Sequence, residues 1–186
     1  MPCARRSDAG PRWRGPGKLD DDLALLEQAL KDARATQVLY GYTSLLIAEA
    51  EAYLEGGRLD DAVRVAAEAL LPARERGERG DEGWLSGVLG AIALRRGRSA
   101  VSEASARLED ANAVARELAM RPLEARSLAG LGEADLLAGR RKDAQVHLAD
   151  AVSLLRSAAM HPCDQWLPFP LAERLDLGEP AHPLVQ

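Results

Sequence analysis

Between residues 19 and 158 the chain keeps returning to one pattern, in which apolar side chains recur every third or fourth position and then give way to a short polar break. In residues 22–37 the apolar positions are Leu23, Leu26, Leu30 and Ala33, and in residues 144–159 they are Ala144, Leu148, Ala151 and Leu155. That spacing gathers them on one face of a helix. The pattern predicts helices over 19–35, 38–55, 59–76, 81–96, 100–118, 123–138 and 141–158. Three breaks are alike: "AYLEGGR" (52–58), "IALRRGR" (92–98) and "DLLAGRR" (135–141) each close an apolar run with glycine and arginine. A glycine just past a helical run can take the left-handed conformation that ends a helix, so each break reads as a tight turn between two paired helices.

The segments after the breaks repeat as well. Aligned without gaps, "DLALLEQALKDARATQ" (22–37), "AVRVAAEALLPARERG" (62–77), "ASARLEDANAVARELA" (104–119) and "AQVHLADAVSLLRSAA" (144–159) share Ala29, Ala69, Ala111 and Ala151 at one position. Five residues further on they share Arg34, Arg74, Arg116 and Arg156. The offsets are 40, 42 and 40 residues, with the extra two falling in "RSAVSEA" (98–104). Small residues such as Ala62, Ala66 and Ala69 allow close approach of packed helices. A fixed period of this length marks a stacked-repeat architecture.

The stretch "LIAEAEAYLEGGRLDDAVRVAAEAL" (46–70) resembles a tetratricopeptide repeat, with Leu46, Ala50, Tyr53, Gly57, Ala62, Ala66 and Ala69 at the motif places. Leu89, Gly90, Ala93, Gly97, Ala104, Leu108 and Ala111 match in the next copy, and Leu128, Leu131, Gly132, Gly139, Ala144, Leu148 and Ala151 in the last. Asp135 stands where that copy should have Tyr. The period exceeds the 34 residues of the standard repeat. In this it is similar to the C-terminal repeat arrays of large bacterial signalling ATPases and transcriptional regulators, including the maltose-activator type and cyclase-linked ATPases. The resemblance spans about residues 19–160. It implies an all-α fold, a right-handed superhelical stack of antiparallel helix pairs (a TPR-like α-solenoid) whose concave groove is the default binding surface.

In that family the first helix of each pair lines the groove. The resemblance therefore places Ser44, Ile47, Glu51, Leu54 and Glu55 on it, then Trp84, Gly87, Ala91, Leu94 and Arg95, then Arg126, Ala129, Glu133, Leu136 and Leu137. Trp84 is the strongest anchor, because interface hot spots favour Trp and Arg; the competing reading makes it core. Family members that clamp acidic chaperone tails carry Lys and Asn where this chain has Ile47 and Glu51. An apolar or basic peptide suits the lining better.

Composition narrows the function classes. The chain has 186 residues, 47% of them hydrophobic, with three Trp, three Tyr and one Phe, and Ala and Leu dominate, which favours helix over strand. The formal charge is −5, yet Arg5, Arg6, Arg12, Arg14 and Lys18 face Asp8 alone in residues 1–18, so the body is more acidic than the total. An acidic body argues against direct nucleic-acid binding. The head 1–18 has no apolar periodicity and is expected to be disordered. No stretch has the form of a signal peptide or a membrane span, so the expectation is a cytoplasmic protein without a membrane partner. Cys3 and Cys163 form no disulfide framework.

Enzyme signatures fail on inspection. "GPGKL" (15–19) has Arg12 and Leu19 where a phosphate loop needs Gly and Ser or Thr, and "GLGEAD" (130–135) falls inside a helix with no strand before it. His147, His161 and His182 are too scattered for a metal pair, and Cys163 has no histidine base in its repeat. His147, beside Leu148, reads as a surface or boundary residue. No catalytic, metal or cofactor site is expected.

The tail 161–186 holds five prolines, and a short helix near Leu171–Leu175 is expected to lay Trp166 and Phe169 over the last repeat as a cap. The first helix has no partner before it and invites a homodimer, as in a fragment of a longer array. The sequence thus points to a non-catalytic scaffold that binds a partner peptide or helix. The alternative is a regulatory or effector-sensing module detached from a larger bacterial ATPase, cyclase or transcriptional regulator.

Overall fold

The computed structural model describes residues 16–36 and 41–157. They form α1 (Pro16–Thr36), α2 (Tyr42–Glu55), α3 (Leu59–Glu75), α4 (Arg79–Arg95), α5 (Val101–Glu117), α6 (Arg121–Ala138) and α7 (Arg141–Ser157), with one 3-10 turn at Arg98–Ala100. No strand occurs among the described residues. Each helix packs on the next in sequence, and α4 packs also on α2 and α6. The architecture is all-α, with helices stacked in chain order as an α-solenoid stacks them. The helices α2, α4 and α6 make one row, with α3 and α5 each wedged against two of its members.

The expected boundaries lie close to the observed ones. α2 begins four residues later than expected, at Tyr42, and α1 begins three residues earlier, at Pro16, inside the head expected to be disordered. Proline suits the first turn of a helix because its fixed φ is already helical and its missing N–H has no partner there anyway. The two extra residues between α4 and α5 are absorbed by the 3-10 turn, in which Ala100 N–H donates to the Gly97 carbonyl. The expected capping helix of the tail and its residues Cys163, Trp166 and Phe169 lie outside the described residues.

Four of the described turns close by one device. After α2, Arg58 N–H donates to the Tyr53 carbonyl and Gly57 N–H to that of Leu54, with Gly57 at φ 73°. The same pair of bonds recurs at Gly77, Ala119 and Gly139. This is the Schellman arrangement, which satisfies carbonyls that the helix end leaves orphaned. Ala119 is the exception in kind, a non-glycine at φ 54° where the aligned residue of the preceding repeat is Gly77.

Packing between helices explains the glycines of the motif. A Cβ on Gly90 would stand 2.7 Å from Leu108 Cγ, and one on Gly132 would stand 2.5 Å from Leu148 Cγ. Each leucine is buried and fills the space that its glycine leaves. The corresponding pair in the first repeat is Ala50 and Ala66, both fully buried, so neither partner is large there. Along α4, the glycines at 83, 87 and 90 face Val114, Ala111 and Leu108 in turn, so α4 and α5 run in opposite directions.

The arginine shared by the repeats ties one pair to the next. Arg34 Nε donates to the Tyr42 hydroxyl, Arg74 Nε meets Glu82 at 2.9 Å, and Arg116 Nε meets Glu124 at 3.8 Å. In each case the partner lies eight residues on, in the first turns of the next helix. Position 53 and position 135, which differ in chemistry, also keep one partner: Arg58 lies 4.6 Å from the Tyr53 ring centroid, and Arg140 Nη2 lies 2.6 Å from Asp135. Asp135 is buried, and His147 Nδ1 at 2.8 Å occupies its second oxygen. The Asp in the Tyr place is thus a satisfied polar bridge between α6 and α7.

Candidate functional site

The row α2, α4, α6 carries every residue that the resemblance placed on the groove, and the structure divides them by exposure. Ile47, Leu54, Ala91, Leu94 and Ala129 are buried in the core. Gly87 points at Leu123 and Ala111, between α5 and α6. These positions serve helix packing, because the apolar stripe of a short helix in a two-layer stack is taken up by its neighbours. Leu137 is half-buried against the core, while Leu136 is 39% exposed. Ser44, Glu55 and Arg95 are exposed, and Glu51, Trp84, Arg126 and Glu133 are half-buried.

Three of these side chains from three helices meet. Arg126 of α6 forms a salt bridge with Glu51 of α2, and its guanidinium carbon sits 5.5 Å from the ring centroid of Trp84 on α4. Trp84 itself packs against the large N-terminal core cluster and against the cluster of Ala111, Ala115 and Leu123. It is both a core residue and the floor under Arg126, because its ring is wide enough to be packed along one side and to offer a face on the other. The Arg126 guanidinium has its Nε fully buried without a hydrogen-bond partner, so its pairing runs through the terminal nitrogens.

Charge continues along the seam in both directions. One turn beyond Glu51, the Glu55 carboxyl is held above the usual carboxylate range, by burial first and by Glu51 second, with Arg126 and Arg95 opposing. Toward the start of the helices, Ser44 Oγ donates a long hydrogen bond of 3.4 Å to Asp81. Asp81 too is raised, by burial and then by Glu78. The sequence reading missed Asp81, which lies one turn before Trp84, because only the packing of α4 on α2 brings it to Ser44.

A second polar group joins α2 to the turn before α4. Thr43 is buried at the start of α2, donates its hydroxyl to Glu78, and accepts from Arg76 Nη2 at 3.1 Å, while Arg76 Nε meets Glu78 at 3.1 Å. This triad pins the turn between α3 and α4 onto α2. Among the described residues, no group of three His, Cys, Asp or Glu could hold a metal ion. No described helix is long and apolar enough to cross a membrane. No protein-family model matches the chain, and no curated protein matches it either.

Proposed function

We propose that the chain is a non-catalytic interaction scaffold of the tetratricopeptide-like kind, in which antiparallel helix pairs coil into a right-handed superhelix and the row α2, α4, α6 forms the concave face that receives a partner peptide or helix. The observation that carries this reading is the Glu51–Arg126 bridge over Trp84. In a flat row, with neighbouring axes about 8–10 Å apart, α2 and α6 would stand about 16–20 Å apart. A helix with its side chains is only about 10–12 Å across, so two side chains span that gap with difficulty when the row is flat and readily when it bends toward them. The side bearing Glu51, Glu55, Trp84, Arg95 and Arg126 is therefore the inner one. Its mixture of an aromatic floor, paired charges and an exposed Leu136 suits a polypeptide with both apolar and charged side chains.

The test is partner capture followed by substitution. Proteins that co-purify with the full chain from its own cells are identified, and Glu51→Gln, Trp84→Ala and Arg126→Ala chains with unchanged helicity are then compared. Loss of the same partners from these variants supports the inner face as the binding surface. Undiminished capture by all three places binding elsewhere and overturns it.

A further inference from the structure

We infer that the Glu51–Arg126 pair is a latch that sets the curvature of the helix row, so that breaking it opens the inner face without melting any helix. The inference deepens the proposed function by naming what controls the shape of that face, but it depends on the geometry of the free chain and needs no partner. Four observations lead to it. Glu51 and Arg126 are 75 residues apart and sit on helices that are second neighbours in the row, each packed on α4. The other inter-helix ion pairs described, such as Arg74 with Glu82, Arg79 with Glu117 and Arg96 with Asp60, join helices next to one another in sequence or in the stack. Those tie each helix to the one beside it, whereas the 51–126 pair alone among them reaches over a whole helix.

The pair is also placed to be strong enough for the role. The side chains of Arg126 and Glu51 are only 12% and 26% exposed, so water and salt screen them less than surface pairs. The Trp84 face below the guanidinium adds a cation–π contact and keeps it from lying flat against α4 in another direction. The core contacts at Gly90–Leu108 and Gly132–Leu148 lie instead on the side of the row facing α5 and α7. A solenoid whose repeats touch only their neighbours bends by small rotations at each interface, and a tie across two interfaces limits both at once.

The experiment reads the distance between the ends of the array. Spin labels are placed at the exposed positions Ala24 on α1 and Ser153 on α7, in a chain with Cys3 and Cys163 changed to serine, and the label-to-label distance is measured by double electron–electron resonance. Glu51→Gln and Arg126→Met are each expected to shift the distance distribution to longer values and to broaden it, with the helical circular dichroism unchanged. The charge swap Glu51→Arg with Arg126→Glu is expected to return most of that shift. Glu51→Gln changes no volume, so it reads the latch even where Arg126→Met loses helicity. A distribution identical to the parent in Glu51→Gln, or a swap as open as the single variants, overturns the latch while leaving partner binding to the inner face an independent matter. A longer distance with undiminished partner capture supports the latch and sinks the binding role.

Discussion

At the scale of the residue, the informative positions are those where one repeat departs from its fellows. Ala119 holds the left-handed conformation that Gly77 holds one repeat earlier. A side chain in that region costs about 1–2 kcal/mol, partly offset by the flexibility glycine loses on folding. Ala119→Gly is therefore expected to raise stability by up to about 1 kcal/mol, and Gly77→Ala to lower it by about 1–2 kcal/mol, both read from urea unfolding midpoints at constant slope. Glu49 is a second such position. It is buried beside Tyr53, and burial, then Glu27, holds its carboxyl above the ordinary range. The folded state thus binds this proton more tightly than the unfolded one, so the contribution of Glu49 to stability falls as pH rises from below the ordinary carboxylate range through the raised value. Glu49→Gln is expected to raise the melting temperature at pH 7 and to leave it little changed near pH 4. An equal effect at both pH values would mean that the charge is not the cause.

At the scale of the element, helices are joined by a glycine on one and a leucine on the next. Gly132→Ala forces Leu148 or the helix axes to move, at a cost of about 1–3 kcal/mol for overpacking. Leu148→Ala leaves a cavity and costs about 2–5 kcal/mol. The two residues share one space, so the double variant is expected to lose clearly less than the sum, as read from urea unfolding of all four chains. Additive losses would show that the two do not pack as a pair. The recurrent Arg to i+8 bridges work at the same scale but with less energy. With Arg116 exposed to water, its pair with Glu124 is worth at most about 1 kcal/mol, and its use is to orient one helix pair on the next.

At the scale of the whole molecule, protection should be graded. The central α4 packs on α2, α3, α5 and α6, whereas among the described residues α1 packs chiefly on α2 and α7 on α6. Stability in such arrays is close to a sum of repeat and neighbour terms, so the ends open more cheaply than the middle. Hydrogen exchange is expected to be slowest in the middle of α4 and fastest in α1, where Leu25 remains 69% exposed. Uniform exchange in all seven helices would mean one cooperative unit instead. The split of the core into one large cluster spanning α1 to α4 and smaller ones beyond it agrees with graded opening.

Much of this was legible in the sequence because it is local. Helix periodicity, the glycine ends and the 40-residue recurrence depend on neighbours within a few turns, and each foretold helix of the array is present, with its ends moved by a few residues. The shared arginine was visible too, though not its partner, since the Tyr or Glu eight residues on is one charged or polar residue among many until the helices dock. What only the tertiary structure decided was which motif positions face inward to the core and which face out. Ile47, Leu54, Ala91 and Leu94 share a helix face with Glu51 and Trp84 closely enough that periodicity cannot separate them, and their burial follows from how near α3 and α5 approach. The meeting of Glu51, Trp84 and Arg126 is likewise beyond any local rule. It joins residues 75 apart through the accumulated angle of two helix interfaces, a quantity that no short stretch of sequence contains.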